Sequence, residues 1–598
     1  MDNVDRDLEK AERDASPNRF PDRRSSEIER PQNVSSSSSA SASTVSSLSR
    51  RQAGGGMSRV PTQGDTLERN ATALSRIHTQ RTQHSGTVGR TATSRTWKKP
   101  LPEFGGGKAF PPPLPAQEEY VVEFDGEHDP LHAMNWPMKK KLYTAAMLGY
   151  TTLVSAFASS IFSAATIPVA MEFGVSNEVG ILGTSLYVLG FATGPSLWAP
   201  LSELRGRRLP LVLSMFGFSV FMIGVAVGKD LQTVLICRFW GGFFGACPLA
   251  VVAAVFSDMF DNRTRGMAIT VFSMTVFTGP LLAPFIGGFI STSYLGWRWT
   301  QYLVAIMGFA AFTLDILFLE ETYPPIILVS KASELRRRTK NWGIHAKQEE
   351  IEVDFRELLE KNFSRPLRLL FTEPIVLALS IYMSFIYGLL YLFLTAYPIV
   401  FQQIRGWTPG IGGLPLLGLV CGQISAGLFI VLLQPGYNRK LAANNNVPVP
   451  EWRLPPVIVG GAAFAIGLFW FGWTGYSADI HWIGPTLSGL LTGFGLLSIF
   501  LQSLNYLVDA YLMFAASAIA GNTFLRSIAG AVFPLFATYM FDGMGVQWAS
   551  TLLGCVGVVL VPIPVLFYLY GHKIRAKSKF APSNPKEALG VQEASSEE

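Results

Sequence analysis

The chain has 598 residues, of which 49% are hydrophobic and only 15% are charged. A soluble domain carries about 25% charged residues, and most of the charges here lie near the N-terminus and in one central stretch. This composition excludes a soluble globular protein. The net charge of +6 gives no indication of nucleic-acid binding, because the basic residues cluster beside apolar segments, where they orient helices and contact anionic lipid.

Residues 1–136 are predicted to form a disordered tail. They contain a serine run at 35–39, a glycine triplet at 54–56 and a proline triplet at 111–113, and they show no periodic apolar face. Two interpretations remain open for this tail. It is either a regulatory arm with phosphorylatable serines or a solvated extension of little consequence.

Twelve long apolar segments follow, in two sets of six. A helix of about 20 apolar residues spans the hydrocarbon core of a bilayer, because lipid offers backbone groups no hydrogen-bond partner. We therefore predict an all-α membrane protein of twelve spans in two six-helix bundles, a layout that favours a transporter over an enzyme or a receptor. The predicted spans are roughly 142–170, 178–200, 210–228, 231–257, 267–292 and 298–319, then 374–402, 409–434, 455–476, 482–506, 511–540 and 547–571.

The charges between the spans predict domain boundaries and orientation. The domains after the tail are an N-terminal bundle at 137–320, a central loop at 321–372, a C-terminal bundle at 373–572 and a C-terminal tail at 573–598. Loop lysines and arginines fall on one side, so the positive-inside rule places both termini and the central loop in the cytosol. Within the central loop, residues 331–360 are predicted to form an amphipathic surface helix.

The cysteines all lie inside apolar segments. We interpret them as small buried apolar side chains, so neither a disulfide set nor a metal site is expected. They are Cys237, Cys247, Cys421 and Cys555.

The sharpest local pattern is the basic loop after the second span, residues 199–211, with the sequence APLSELRGRRLPL. Its first proline is predicted to end the helix, and Glu203 lies just past that point. Gly206 permits a tight turn, and Arg207 and Arg208 follow. An acid and a basic pair at a helix end can form a charge network that latches one conformation and opens in another. The alternative is an ordinary positive-inside loop.

This loop resembles motif A of the major facilitator superfamily, Gly-x-Leu-x-Asp-x-x-Gly-Arg-Lys/Arg. Ala199 and Glu203 stand in place of the usual glycine and aspartate. The resemblance implies that Asp258, at the end of the fourth span, is the acidic partner of the latch.

A segment of the fourth span, RFWGGFFGACP at 238–248, is similar to motif B of the same superfamily. The resemblance implies that Arg238 couples proton and substrate. An arginine in hydrocarbon is costly, so it should face a cavity or a partner. The alternative is an arginine near the outer interface that extends to the lipid headgroups.

A segment of the fifth span, TGPLLAPFIGG at 278–288, is similar to motif C, which marks the antiporters of this superfamily. Its prolines remove backbone donors and its glycines let helices approach closely, so a kinked and tightly packed helix is expected. The motif residues are Gly279, Pro280, Pro284, Gly287 and Gly288.

Further matches run from about residue 127 to residue 579 and are similar to the fungal twelve-span drug:proton antiporters, which are multidrug and toxin efflux pumps. The resemblance implies the major facilitator fold, and it is specific for the family but not for a substrate. The matching segments are GWRW at 296–299, ETYP at 321–324, EPIVL at 373–377, YGLLY at 387–391, YPIVF at 397–401, NYLVDAY at 505–511 and LRS at 525–527.

Proton coupling needs a group that can change its charge. Asp315 in the sixth span is the best candidate, because a carboxylate in a low-dielectric site has a raised affinity for its proton. Glu203, Asp509 and His481 lie nearer the interfaces. The alternative is that Asp315 lies near the cytosolic face, hydrated and ion-paired.

With so few interior charges, the substrate cavity should be apolar and aromatic. Tyr387 and Tyr391 are four residues apart and share a helix face. Phe385, Asn505 and Phe524 are predicted to line the same pocket. The alternative for each residue is aromatic packing between helices.

The resemblance and the apolar cavity together predict proton-coupled efflux of hydrophobic or amphiphilic small molecules, such as drugs, fungicides or toxic secondary metabolites, across the plasma membrane. We expect a monomer with no cofactor, driven by the proton gradient, whose partners are the substrate, protons and the lipid bilayer but not nucleic acid. Alternatives are a polyamine exporter, which would need several cavity carboxylates, a narrow-substrate exporter of an endogenous metabolite, and a membrane receptor or scaffold. No metal, nucleophile or phosphate-binding motif favours an enzyme.

Overall fold

The computed structural model describes residues 117–126, 128–260, 262–350, 355–444 and 448–576, together with Ser578 and Phe580. Within these ranges the chain is helical throughout, apart from short connections and one isolated β-bridge between Val121 and His345. The predicted all-α architecture is therefore confirmed.

The six spans of the N-terminal bundle follow one another with short connections. The first is bent by a 3-10 turn, and the second is divided in two at Gly194. In order they are Met138–Phe173, then Asn177–Thr193 with Pro195–Arg205, Arg208–Val227, Leu231–Met259, Asn262–Thr292 and Arg298–Phe318.

The C-terminal bundle repeats this arrangement. Its last two spans form one long helical stretch, Ala515–Ala576, which is kinked at Gly545, where φ is 75°. The eleventh span therefore lies before Gly545 and the twelfth after it. The other four are Pro374–Ile404, Pro409–Ala443, Pro455–Gly475 and Ile483–Tyr511.

The predicted spans agree with these helices to within about five residues at each end, except that the eighth span continues to Ala443 instead of ending near residue 434. Pro200 does not end the second span, because the helix that starts at Pro195 continues through it to Arg205. A proline removes only one backbone donor. The helix ends one turn later at Gly206, whose φ of 86° no other residue type adopts easily.

The central loop contains two helices rather than the single predicted one. They are Pro324–Thr339 and Phe355–Thr372. The expectation of a helix over residues 331–360 is wrong, because Lys340 adopts a left-handed conformation with φ of 58° and ends the first helix. The second helix packs against both Pro195–Arg205 and Ala515–Leu560. We call the end of the bundles that carries this loop the loop face.

The segment just before the first span packs on the central loop. The backbone amide of Val122 donates to the carbonyl of His345 at 2.9 Å, and the amide of His345 donates to Tyr120 at 3.0 Å. The Lys331 ammonium donates to the Asp125 carboxylate at 3.0 Å. We call this contact, between residues 120–129 and residues 331–350, the clasp. Part of the predicted tail, residues 117–126 and 128–136, is therefore ordered, and the rest of it lies outside the described residues.

The two bundles meet mainly along two pairs of spans. The second span packs against the eleventh, and the fifth span packs against the eighth. The outer helix faces are apolar: on the third span the exposed residues recur every three or four positions, which places them on one face toward lipid. They are Leu209, Leu213, Phe216, Val220, Ile223 and Val227.

Exposure also separates the cysteines. Cys247 is buried and Cys237 is half-buried, but Cys421 and Cys555 are exposed on the outer helix surfaces. The expectation that all four are buried is wrong for these two, because hydropathy does not distinguish a lipid-facing position from one inside a bundle. None of the four forms a disulfide.

Candidate functional site

Arg207 of the predicted latch is buried at the loop face and makes an ion pair. Its Nε lies 3.2 Å from Oδ2 of Asp258, and the two side chains are 3% and 10% exposed. A second guanidinium nitrogen donates to Ser202 at 2.8 Å, and the ring of Tyr323 lies 4.6 Å from the guanidinium. The structure thus brings Arg207 and Asp258 together, as the motif A resemblance implies.

Gly206 places the next two amides against a carboxylate that the sequence interpretation missed. The backbone amides of Arg207 and Arg208 donate to Glu321 at 2.8 and 3.1 Å. Any side chain at Gly206 would overlap the carboxylate of Glu321. Glu321 belongs to the ETYP match, so its motif was visible, but only the fold shows that it faces this turn.

The other two latch residues contribute less directly. The Arg208 guanidinium donates to the carbonyl of Ile316 at 2.8 Å, which ties the turn to the sixth span. Glu203 is half-buried close to Arg207 and makes no hydrogen bond with the described residues. The network joins the N-terminal bundle to the start of the central loop, where Glu321 and Tyr323 lie, and the central-loop helix packed on Pro195–Arg205 connects it to the other bundle.

Arg238 lies inside the N-terminal bundle and is 0% exposed. Its guanidinium donates to the carbonyls of Gly183, Ala158 and Ser159 at 2.8, 3.0 and 3.3 Å. The ring of Tyr187 lies 4.4 Å from it. This position is incompatible with an arginine that extends to the headgroups, and it links the fourth span to the first and second.

Pro284 frees a backbone acceptor in the fifth span, which runs as one helix from Asn262 to Thr292. In an α-helix the amide of residue i donates to the carbonyl of residue i−4, so Pro284 leaves the carbonyl of Pro280 without its helical donor. The hydroxyl of Ser160 in the first span donates to that carbonyl at 2.7 Å. The motif C prolines therefore create an acceptor that fastens the fifth span to the first.

The motif C glycines provide close approach in two directions. A side-chain carbon at Gly279 or Gly287 would collide with the first span, at Phe157 and Ile161. One at Gly288 would collide with the backbone of Pro409, where the eighth span begins. This motif therefore packs the fifth span against its own bundle and against the opposite one.

Asp315 is buried in the sixth span, with 0% exposure. The hydroxyl of Thr151 lies 3.2 Å from one carboxyl oxygen and 3.4 Å from the other. Within the described ranges no cation pairs with Asp315. The hydrated, ion-paired alternative is therefore not what the structure shows.

The predicted tyrosine pair lies at the interface between the bundles. The rings of Tyr387 and Tyr391 are 5.3 Å apart, and the residues are 4% and 0% exposed. The Tyr391 hydroxyl donates to the hydroxyl of Ser159 in the first span at 2.9 Å. Because the carbonyl of Ser159 also accepts from Arg238, this one residue joins Arg238 to the C-terminal bundle.

The other predicted cavity residues do not join the pair. The ring of Phe385 packs on Phe533 at 6.2 Å, within the C-terminal bundle. Phe524 lies 6.4 Å from Phe363 of the central-loop helix. Asn505 is half-buried on the tenth span. Aromatic packing between helices thus accounts for both phenylalanines, and the role of Asn505 stays a prediction.

A residue that the cavity prediction missed lies beside the tyrosines. The guanidinium carbon of Arg526 lies 5.1 Å from the ring centre of Tyr387 and 4.7 Å from that of Phe500. Arg526 is the only charged residue inside any predicted span of the second set. That fact was available from the sequence, since an ionisable residue within a span is a candidate functional site.

The secondary protonatable candidates lie away from this centre. Asp509 pairs with Arg453 at 3.0 Å and accepts from Tyr437 at 3.3 Å. His481 stacks against Trp482 in the connection before the tenth span. In the part of the chain that the structure describes, no group of three or more His, Cys, Asp or Glu could hold a metal ion.

Comparison with known proteins identifies the family. Residues 148–534 match the model of the Major Facilitator Superfamily. The chain is 48% identical over 512 residues to a Candida albicans protein named Major facilitator superfamily multidrug transporter FLU1, which covers 85% of this chain and 84% of that protein. It is 50% identical over 481 residues to the Candida glabrata multidrug transporter TPO1_2, covering 80% and 83%.

Solved structures agree on the fold. The chain superposes on the proton:xylose symporter XylE with a TM-score of 0.51 and 16% identity, covering 73% of this chain and 96% of that one. A peptide transporter POT gives a TM-score of 0.51 at 14% identity, covering 72% and 94%. The predicted twelve-span fold in two six-helix bundles is confirmed.

Proposed function

Because this chain belongs to the Major Facilitator Superfamily, we propose that it exports hydrophobic or amphiphilic small molecules across the plasma membrane in exchange for protons. The named relatives support the substrate class, since they are called multidrug transporters. The loop face is the cytosolic side in this proposal, because the basic loop residues Arg207, Arg208 and Arg336 lie there. Both termini are then cytosolic, and the protein works as a monomer without a cofactor.

The observation that carries proton coupling is the isolation of Asp315. The Thr151 hydroxyl has one hydrogen to donate. Its oxygen lies 3.2 Å from the Met147 carbonyl oxygen and 3.2 Å from one carboxyl oxygen of Asp315. If Asp315 is protonated, it donates to Thr151, which donates in turn to Met147, and every group is satisfied. If Asp315 is ionised, the bundle holds a negative charge with no cation beside it, which is costly. Asp315 can therefore hold a proton in this conformation.

Arg238 is the second part of the mechanism. It is anchored to the first and second spans and, through Ser159, contacts Tyr391 of the opposite bundle. A movement of the two bundles must break or remake that contact. Arg238 thus transmits the position of one bundle to the other, which is what coupling requires.

The polyamine alternative is disfavoured by the same geometry. A polyamine needs carboxylates in the cavity, and no Asp or Glu of the described residues hydrogen-bonds or pairs with the tyrosines. The charges beside Tyr387 and Tyr391 are those of Arg526 and Arg238, which repel a cation.

Transport in proteoliposomes tests this proposal. An imposed pH difference without ATP should drive a lipophilic dye across the membrane, since one pH unit supplies about 1.4 kcal/mol per proton, enough for about a tenfold gradient of a neutral solute. Asp315→Asn should abolish this response but retain exchange of dye against dye, because the amide can still bond Thr151. The control is Asp542→Asn, at an exposed position.

Two results would contradict the proposal. If the wild-type protein transports dye equally with and without a pH difference, proton coupling is wrong. If Asp315→Asn follows the pH difference as the wild type does, the proton is carried elsewhere, and Glu203 is then the next residue to test.

A further inference from the structure

Arg526 differs from three other half-buried arginines of the C-terminal half, Arg405, Arg453 and Arg575. Its Nε is buried and has no hydrogen-bond partner among the described residues, and no carboxylate pairs with it. By contrast, Arg453 pairs with Asp509, Arg575 pairs with Glu451, and Arg405 donates to five backbone carbonyls. The Nε atoms of Arg405 and Arg575 also lack a partner among the described residues, but their other guanidinium nitrogens are bonded. Arg526 is thus a cation for which the described residues supply no hydrogen-bond or ion-pair partner.

The guanidinium of Arg526 lies among aromatic rings. The rings of Tyr387 and Phe500 flank the guanidinium, and Phe277 of the N-terminal bundle packs on Phe500 with ring centres 4.6 Å apart. One helical turn away, the side-chain oxygen of Asn522 is buried and also has no partner within the described chain. The amide nitrogen of Asn522 donates to Ser380 within the C-terminal bundle, whereas three aromatic rings and the unsatisfied Arg526 meet where the bundles face each other.

This centre has a positive charge. Arg238 lies on the far side of the same tyrosines, and the fields of both arginines act on Tyr391. Arg238 is enclosed by carbonyls, but Arg526 is only half-buried, so part of its guanidinium remains accessible. An unpaired guanidinium in a low-dielectric site is unfavourable until an anion binds it, and carboxylates fit its planar donors.

We propose that Arg526 determines substrate specificity by binding an anionic group, so that the preferred substrates are lipophilic monoanions such as aryl-alkanoic carboxylates. The carboxylate contacts the guanidinium, and the apolar part lies against Phe277, Tyr387 and Phe500. The inference rests on the proposed function in that the bound anion is the molecule to be exported. It goes beyond that function because it names the charge that the site selects.

Selection of an anion changes the energetics of export. An anion that leaves the cytosol and a proton that enters it both move charge in the direction favoured by an inside-negative membrane potential. Exchange of a monoanion for a proton therefore moves the charge of the anion as well as that of the proton. Exchange of a neutral molecule for a proton moves only the charge of the proton. The same potential thus drives monoanion export harder than export of the corresponding ester.

Three probes with the same apolar part isolate the charge: pyrenebutyric acid, its methyl ester and pyrenebutylamine. Binding is measured at neutral pH to the full-length protein in nanodiscs of phosphatidylcholine, with binding to empty nanodiscs subtracted. Wild-type protein should bind the acid about tenfold more tightly than the ester, as expected for one charge-assisted contact, and should bind the amine most weakly. Addition of phosphatidylglycerol to the nanodiscs should weaken acid binding by less than about twofold if the site selects the substrate rather than an anionic lipid.

Variants then assign the preference to one residue. Arg526→Gln should bring the acid and the ester within about twofold of each other, and Arg526→Lys should keep an intermediate preference because it retains the charge without the planar donors. The control is Arg439→Gln, which removes an exposed arginine and should bind all three probes as the wild type does.

The wild-type preference alone decides the case if Arg526→Gln does not fold. Equal binding of acid, ester and amine by the wild type would overturn the inference, as would an Arg526→Gln variant that still prefers the acid tenfold. Strong competition by phosphatidylglycerol would reassign the anion site to lipid. These are equilibrium measurements without a proton gradient, so they remain decisive for anion binding even if the proteoliposome test rejects proton-coupled export.

Discussion

Arg238 and Arg526 flank the same group of tyrosines from opposite bundles, and their surroundings differ. Arg238 donates to three backbone carbonyls and is fully buried. Arg526 lies over two aromatic rings, with its Nε unsatisfied within the described chain. The protein itself completes the hydrogen bonding of the first arginine, whereas the second requires a ligand. One residue type thus serves to hold helices together in one bundle and to recognise a molecule in the other.

The largest expected effect is a difference in stability between these two arginines. Arg238→Met removes three hydrogen bonds to a charged group, each worth about 1.5–3 kcal/mol, so the loss is on the order of 5 kcal/mol. Arg526→Met removes a cation that has no ion-pair partner among the described residues, and should leave stability unchanged or raise it. Thermal unfolding of both variants in the same detergent, followed by tryptophan fluorescence, measures the difference.

The comparison fails if the two variants melt at the same temperature. It also fails if Arg526→Met is the less stable one, because Arg526 would then hold the bundle together as Arg238 does. The exposed variant Arg439→Met is the control, and its melting temperature should equal that of the wild type.

Much of the fold could be predicted from the sequence because lipid permits few alternatives. Backbone groups in hydrocarbon must bond within their own helix, so a run of about 20 apolar residues predicts a span wherever it occurs. The errors occur where packing, not hydropathy, decides the outcome. Pro200 is tolerated inside a helix, the central loop is divided by the conformation of Lys340, and Cys421 faces outward.

The candidate site could be predicted only where a motif includes both partners of a contact. The pairing of Arg207 with Asp258 followed from the motif A resemblance. Glu321 was missed because it bonds backbone amides more than a hundred positions earlier in the chain. Phe524 was assigned to the cavity from its residue type, but its neighbour is Phe363, in a helix whose position the sequence does not reveal.

Arg207 lies in a third kind of environment, which can be compared with those of Arg238 and Arg526. Arg207 has a carboxylate partner, and both side chains are nearly buried. Arg207→Met leaves Asp258 buried without a counter-charge, which should cost about 3 kcal/mol of stability and abolish transport. Adding Asp258→Leu should restore most of the stability, because an apolar pair can replace a buried ion pair. Transport should not recover, since an apolar contact cannot act as the charge latch. Recovery of both would show that the pair is structural only.

The smallest expected effect concerns the clasp, where hydrogen bonds of the His345 imidazole depend on pH. Both ring nitrogens of His345 lie 2.8 Å from acceptors, the Gly343 carbonyl and the Glu350 carboxylate, so both bonds form only when the imidazole is protonated. These bonds raise the pKa of His345 above its usual range. A raised pKa means that the stabilisation is complete below about pH 6.5 and disappears as the pH rises through the pKa of His345 in the folded protein.

Hydrogen exchange at the Val122 amide tests this prediction, because that amide donates to the His345 carbonyl. Its exchange rate, corrected for the intrinsic rate, should increase as the pH rises through the pKa of His345 in the folded protein. Glu350→Gln should weaken the dependence, and an exchange rate that is independent of pH in the wild type would show that His345 does not hold the clasp.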